Sequence, residues 1–420
     1  MTRKPLKSKV LAISMISACS LFSTSLLAGD WPQWRGENRD DISTETGLLK
    51  SWPSSGPKKV WLSEEGGLGY AGFSVVDGKL FTMGLIDGKC NLLAFDANTG
   101  KRLWSTSFGG HFKNKWGDGP RATPSVSDGL VYALAASGEL LCAKASDGSK
   151  VWSKSLVKDF KGRVPGWGYC ESVLVDGDQV VCTPGGSKGG GLMVALDKKT
   201  GKTNWTSKAF PDGAQYSSIV PIVHNGERQY VQLTQKALSG VRASDGKLLW
   251  QSDWTGRTAV IPTPIYSDGH VYIASGYGVG CKLVKIGNNS PSDVYVNKVM
   301  KNHHGGVIKV GDHLYGYSDG GGWLCQDFMS GEMVWNEKKA FRKGAIACAD
   351  GQFYLLEEST GNVVLIDVSS KGWKERGRFQ LSPQTTQRSP SGKVWTHPVI
   401  SNGKLYLRDQ EILYCFDIKA

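Results

Sequence analysis

The stretch Val75-Val76-Asp77-Gly78-Lys79-Leu80-Phe81, followed by Leu92-Leu93-Ala94-Phe95-Asp96-Ala97-Asn98-Thr99-Gly100-Lys101-Arg102-Leu103-Trp104, decides the fold. Two alternating apolar runs meet at an Asp-Gly pair, and a third and a fourth run meet at a Thr-Gly pair. Such a pattern describes a four-stranded antiparallel meander. The first turn recurs as Asp128-Gly129, Asp176-Gly177, Asn225-Gly226, Asp268-Gly269, Gly311-Asp312, Asp350-Gly351 and Asn402-Gly403, which makes eight copies with Asp77-Gly78. Right-twisted strands joined by two residues need positive φ in the loop, and Asn, Asp and Gly tolerate it best. A second register runs through the same units: Gly100, Gly148, Gly201, Gly246 and Gly331 each precede a tryptophan by four residues, at Trp104, Trp152, Trp205, Trp250 and Trp335.

Eight meanders spaced about 40 to 50 residues apart match the blades of a β-propeller. The predicted fold is all-β, an eight-bladed propeller of four-stranded antiparallel blades over residues 57–420. Its last repeat, from residue 399, holds three strands, and the strand Pro57-Lys58-Lys59-Val60-Trp61 has no blade of its own. Joining the two closes the ring and leaves no open sheet edge. The five repeated tryptophans then read as packing between blades. On the same register one strand position holds Ala94, Cys142, Ala195, Gly240, Cys325 and Cys415, all small. Those cysteines read as small apolar side chains in a tight slot, not as disulfide partners.

The chain has 420 residues, 54 of them glycine, with 40% hydrophobic and 21% charged residues, a balance that excludes disorder and a multi-span membrane protein. Residues 1–28 read as a signal peptide: a head with Arg3, Lys4, Lys7 and Lys9, an apolar run, and Ala28 before Gly29-Asp30. A lipoprotein reading stays open, because Ile16-Ser17-Ala18-Cys19 resembles a lipobox and would place a lipid anchor on Cys19. Residues 29–56 form an N-terminal extension. Loss of four positive charges with the leader lowers the formal net charge from +12 to +8. No Lys/Arg cluster marks a nucleic-acid site, and the mature chain carries no apolar run long enough to span a membrane.

The segment 97–104 resembles the tryptophan-docking motif of pyrroloquinoline quinone (PQQ) propeller proteins, with partial copies at 146–152, 199–205, 244–250 and 330–335. Trp31-Pro32-Gln33-Trp34-Arg35-Gly36 and Asn302-His303-His304-Gly305-Gly306 are similar to a group of exported PQQ-like repeat proteins. The resemblance implies one of two functions. One branch, which includes BamB, binds partner proteins in the cell envelope without catalysis. The other comprises quinoprotein alcohol dehydrogenases, which use PQQ and Ca²⁺. The reading favoured here is an exported, periplasmic or secreted, non-catalytic binding or scaffold protein of the cell envelope that recognises a protein or polymer and needs no cofactor. The alternative is a PQQ- and Ca²⁺-dependent dehydrogenase of alcohols or of polyvinyl-alcohol-like polymers.

In a propeller the loops entering each innermost strand gather round the axis. Lys115, Trp116, Arg121, Trp167, Tyr169, Glu171, Tyr216, Arg257, His303, His304, Arg342, Lys343, Trp395 and His397 fall in such loops. Aromatic planes and cations at one mouth of the channel suit a planar anionic ligand; the opposing reading leaves them as solvated loop residues around a water-filled channel. Glu171 lies at a strand entrance among aromatics. The dehydrogenase resemblance would make it a Ca²⁺ ligand, whereas the residues themselves favour a buried or ion-paired acid. The family's vicinal Cys-Cys pair is missing. Adjacent His303 and His304 point to opposite faces if on a strand, so no metal site and no catalytic residue is assigned.

Overall fold

The computed structural model describes residues 1–2, 29–186, 193–207, 212–287 and 290–420. Residues 3–28, on which the signal-peptide reading and the alternative lipobox reading at Cys19 rest, lie outside the described residues. Eight antiparallel sheets stand round a common axis as a β-propeller. Seven blades occupy residues 74–109, 125–155, 174–207, 220–253, 265–297, 307–337 and 344–380, and the eighth combines residues 399–417 with the strand Lys58–Ser63. That strand pairs antiparallel with Ile412–Asp417, Lys58 opposite Asp417 and Ser63 opposite Leu413, and so closes the ring. No helix among the described residues is long and apolar enough to cross a membrane.

The turn chemistry accounts for the hairpins. Asp77 and Gly78, Asp128 and Gly129, Asn225 and Gly226, Asp268 and Gly269, Asp350 and Gly351, and Asn402 and Gly403 all have positive φ. In the third blade the loop sits one residue later than the sequence suggested. Asp176 still pairs with Gln179, so the two loop residues are Gly177 and Asp178. Only Gly177, with φ of 56°, is left-handed, and it takes the first loop position as Gly311 does in the sixth blade.

The tryptophan register is an inter-blade joint. Ala94, Cys142, Ala195, Gly240, Cys325 and Cys415 lie opposite Trp104, Trp152, Trp205, Trp250, Trp335 and Trp61. A larger residue in those slots would meet the indole. The rings of Trp61, Trp104, Trp152 and Trp205 also cover the Gly of the next blade's turn: a Cβ on Gly148 would stand 2.5 Å from Trp104, and one on Gly246 would stand 2.4 Å from Trp205. The indole N–H then donates across the joint, from Trp104 to Ala145 O, Trp152 to Lys198 O, Trp205 to Ala243 O and Trp61 to Ala97 O. The fifth blade substitutes Tyr295, whose hydroxyl donates to Phe328 O at 3.0 Å. The eight cysteines from Cys90 to Cys415 carry free thiols, and all but Cys170 are buried.

Candidate functional site

The axis of the ring is occupied. Residues 29–43 run down the channel and bond to its innermost strands one after another. Trp31 exchanges two 2.8 Å backbone bonds with Val75, Pro32 O accepts from Val126 N, and Asp41 O accepts from Cys348 N. Ile42–Ser43 forms a parallel strand on Gly344–Ala349, the inner strand of the seventh blade. Side chains complete the seal. Trp34 Nε1–H donates to Thr263 Oγ1 (3.1 Å), Arg35 Nη2–H to Val307 O (2.6 Å) and Arg39 Nη2–H to Ser172 O (2.7 Å). Arg35 and Asp41 form a 2.7 Å ion pair with side chains 1% exposed. Arg35, Arg39 and Asp41 all have positive φ, so this plug holds three non-glycine residues in the left-handed region. A packed channel therefore stands in place of a water-filled one, and the plug leaves no signature in the sequence because the segment has no second copy to align with.

Above the plug lies a cavity of about 240 Å³. Its floor is Trp34 and Arg35, and its walls come from the strand-entrance loops of every blade but the seventh: Tyr70; Trp116 and Arg121; Trp167, Cys170 and Ser172; Tyr216; residues 259–263; His303 and His304; and Trp395 and His397, with Tyr277 reaching over from the fifth blade's hairpin. The rings form a connected lining. Trp395 lies 5.1 Å from Tyr70, 6.4 Å from Trp116 and 5.7 Å from His304 between centroids, and Trp167 packs edge-on against Tyr216 at 5.7 Å.

Of the residues expected at the mouth, Trp116, Arg121, Trp167, Tyr216, His303, His304, Trp395 and His397 line this cavity. Lys115 stands at the rim, its ammonium 5.4 Å from the Trp116 centroid. Lys343 sits behind the wall, bonded to His303 Nδ1 (2.8 Å) and to Asp319 (2.7 Å). Arg257 and Arg342 are exposed and line none of the cavity. Tyr169 is 1% exposed and packs between blades, its hydroxyl donating to Pro184 O. Tyr70 could have been found by applying the strand-entrance rule to the first blade as well. Trp34 and Tyr277 could not, since one belongs to the plug and the other to a hairpin tip.

Glu171 is 1% exposed and turned into the third blade, where one oxygen accepts from Thr183 N (2.8 Å) and the other from Thr183 Oγ1 (3.1 Å). Burial pushes its carboxyl up to about 8 against those two bonds and the nearby Arg39. Buried but not ion-paired, it is a structural acid.

Two hydrogen-bond chains organise the histidines. An ammonium only donates, so Lys343 makes His303 Nδ1 an acceptor and leaves Nε2–H to donate to Tyr277 Oη at 2.8 Å. Burial lowers the His303 pKa to about 2, with His304 and Lys343 adding to the effect. His304 Nε2 pairs with Glu358 Oε2 at 2.8 Å, and the same oxygen accepts from Trp395 Nε1 at 3.0 Å. Burial raises the Glu358 carboxyl, yet these donors outweigh it and hold it down at about 2. His397 Nε2 donates to His304 O (2.8 Å) and turns Nδ1 toward Asp41, 3.6 Å away.

The donors do not fit a PQQ–Ca²⁺ pair. Among the described residues no Asp or Glu lines the cavity, Glu358 Oε2 behind its wall is taken by His304 and Trp395, and Glu171 faces away. Among the described residues no group of three or more His, Cys, Asp or Glu is placed to hold a metal ion. Ca²⁺ takes six to eight oxygen ligands.

The family model described as outer membrane protein assembly factor BamB matches residues 59–337. Among characterised relatives, the chain is 27% identical to tetrathionate hydrolase of Acidithiobacillus ferrooxidans over 46% of its length and 40% of the hydrolase. It is 26% identical to BamB of Yersinia pestis over 64% of its length and 65% of that protein. The chain thus spans less than two thirds of either relative. Two solved structures share the fold: BamB of Moraxella catarrhalis (TM-score 0.61, 14% identity, 86% of this chain and 97% of that one) and quinohemoprotein alcohol dehydrogenase of Comamonas testosteroni (TM-score 0.62, 12% identity, 93% and 81%). With well over half its length inside that family match, the chain belongs to the BamB-type family of PQQ-like repeat β-propellers.

Proposed function

We propose that this chain is an exported, non-catalytic binding protein of the cell envelope whose recognition site is the aromatic cavity over the plugged channel. One observation carries the reading: a concave, ring-lined cavity whose wall holds no carboxylate and whose floor is built from the chain's own N-terminal segment. Such walls bind by stacking and burial, and they offer no carboxylate to take a proton from a bound alcohol. Envelope placement is supported by the basic-headed leader and by kinship with BamB.

Titration of the mature chain with PQQ, with and without Ca²⁺, tests the assignment. The expected result is no Ca²⁺-dependent rise in melting temperature and no reduction of a redox dye by alcohols. A ligand that binds only the native state must raise its stability. A Ca²⁺-dependent rise at saturating quinone, with dye reduction, would overturn the proposal in favour of an oxidoreductase.

A further inference from the structure

Arg121 stands apart from the other charged groups near the cavity. Its guanidinium packs over Phe112 at 4.8 Å and Tyr70 at 5.7 Å, and its two terminal nitrogens donate to the carbonyl oxygens of Gly119 and Gly117, the latter at 2.6 Å. Among the described residues no carboxylate comes within ion-pair distance of it. Asp118 turns to His111 at 2.7 Å, Lys343 is paired with Asp319, and Arg35 is paired with Asp41. Burial pushes the Arg121 pKa down, and the neighbouring Cys170, Tyr70, Asp118 and Tyr216 only partly oppose the shift. A guanidinium carries five donors in a fixed fork that matches a carboxylate, and carbonyls use part of that set.

Building on the cavity as the recognition site, we infer that it selects a planar aromatic monoanion of one or two rings, its rings held among Trp34, Trp116, Trp167 and Trp395 and its charge met by Arg121. Size supports the class, since about 150 Å³ of apolar cavity holds benzene and this one measures about 240 Å³. Charge supports it too. Arg121 is the lone unpaired cation on the wall among the described residues, with Lys115 out at the rim, so a polycarboxylate would set its remaining charge against tryptophan faces. The absence of acidic side chains from the wall leaves nothing to repel a single anion.

The test is a calorimetric titration of the mature chain with benzoate and indole-3-carboxylate, their amides, and hexanoate. A charge-assisted bond is worth about 1.5–3 kcal/mol, which is tenfold or more in affinity. The acids are expected to bind at least about tenfold tighter than the amides and than hexanoate. R121Q is expected to erase the preference for acid over amide. Equal affinity for acid and amide would overturn the role of Arg121 and leave the cavity as a neutral recognition site. Failure of every aromatic probe would overturn the inference and the cavity reading together. The comparison of acid with amide on the unaltered chain decides the matter even if R121Q does not fold, and R121K offers a second variant that keeps the charge but not the fork.

Discussion

At the scale of single residues, environment assigns roles that residue type leaves open. Glu171 and Arg121 both lie in strand-entrance loops among aromatics, yet one is sealed inside a blade and the other lines the cavity. The Glu171 carboxyl is raised by burial to about 8 in the folded chain, against about 4.3 when unfolded. Between those values the native state binds more protons than the unfolded state, so stability falls as pH rises, by up to about 1.4 kcal/mol per pH unit, and levels off above the folded value. Glu171→Gln removes this term. The variant is expected to match the parent near pH 5 and to become steadily more stable than it toward pH 8, as read by melting temperatures in a pH series. A constant difference across that range would show that Glu171 is ionised in the folded state throughout. The same substitution leaves the cavity wall untouched, so binding of any cavity ligand is expected to change less than twofold.

At the scale of elements, the blade joint and the plug differ in how much of them the sequence reveals. The Gly-to-Trp offset could be read because it recurs, and its copies meet a common requirement: each indole lies opposite a small residue, and those of Trp104, Trp152 and Trp205 also lie over a turn glycine that has no side chain to clash. Trp152→Ala would remove a ring that fills the joint between the second and third blades and donates to Lys198 O. A cost of about 3–5 kcal/mol is expected, measured by urea unfolding; a loss below about 1 kcal/mol would mean the joint collapses to fill the space. The plug follows no period. Its bonds link residues far apart in sequence, as between Arg35 and Val307, and each occurs once, so no alignment within the chain could expose them. Seven of the cavity's ring-bearing wall residues were legible from the strand-entrance rule alone, whereas its floor at Trp34 was not, for the same reason. Asp41→Asn tests the plug directly. The substitution leaves the Arg35 guanidinium buried without its counter-charge, and breaking one side of a buried pair costs about 3–5 kcal/mol. Since His397 also faces Asp41, the cavity wall is expected to shift with it, visible as altered fluorescence of the tryptophans around it.

At the scale of the whole molecule, a ring of blades is as strong as the seam where its two ends meet, and this seam is sewn twice. The first stitch, the strand Lys58–Ser63 on the last blade, was legible because the final repeat is one strand short. The second is Arg408, fully buried in the last blade, which donates to the carbonyls of Ala71, Met83, Gly66 and Gly67 on the first-blade side and to Thr82 Oγ1, as well as to Gln410 O nearby. Burial pushes its pKa down to about 9, with acids near the seam opposing the shift. Nothing in the sequence singles out Arg408 in Leu407-Arg408-Asp409, because a buried arginine satisfied by backbone carbonyls has no pattern of its own. Arg408→Met keeps the apolar stem and removes every one of those donors, leaving several buried carbonyls without a partner at about 1–3 kcal/mol for each that water cannot reach. The expected loss is at least about 3 kcal/mol, seen as a lower urea midpoint. The slope of the transition separates two kinds of seam. If the ring unfolds as a unit, the slope is unchanged, because the surface exposed is the same. If Arg408 is what couples the last blade to the first, the transition splits and its first step has a shallow slope, as one blade's worth of surface opens before the rest. A midpoint that moves by less than about 1 kcal/mol would place the whole burden of closure on the paired strand and the Trp61 joint.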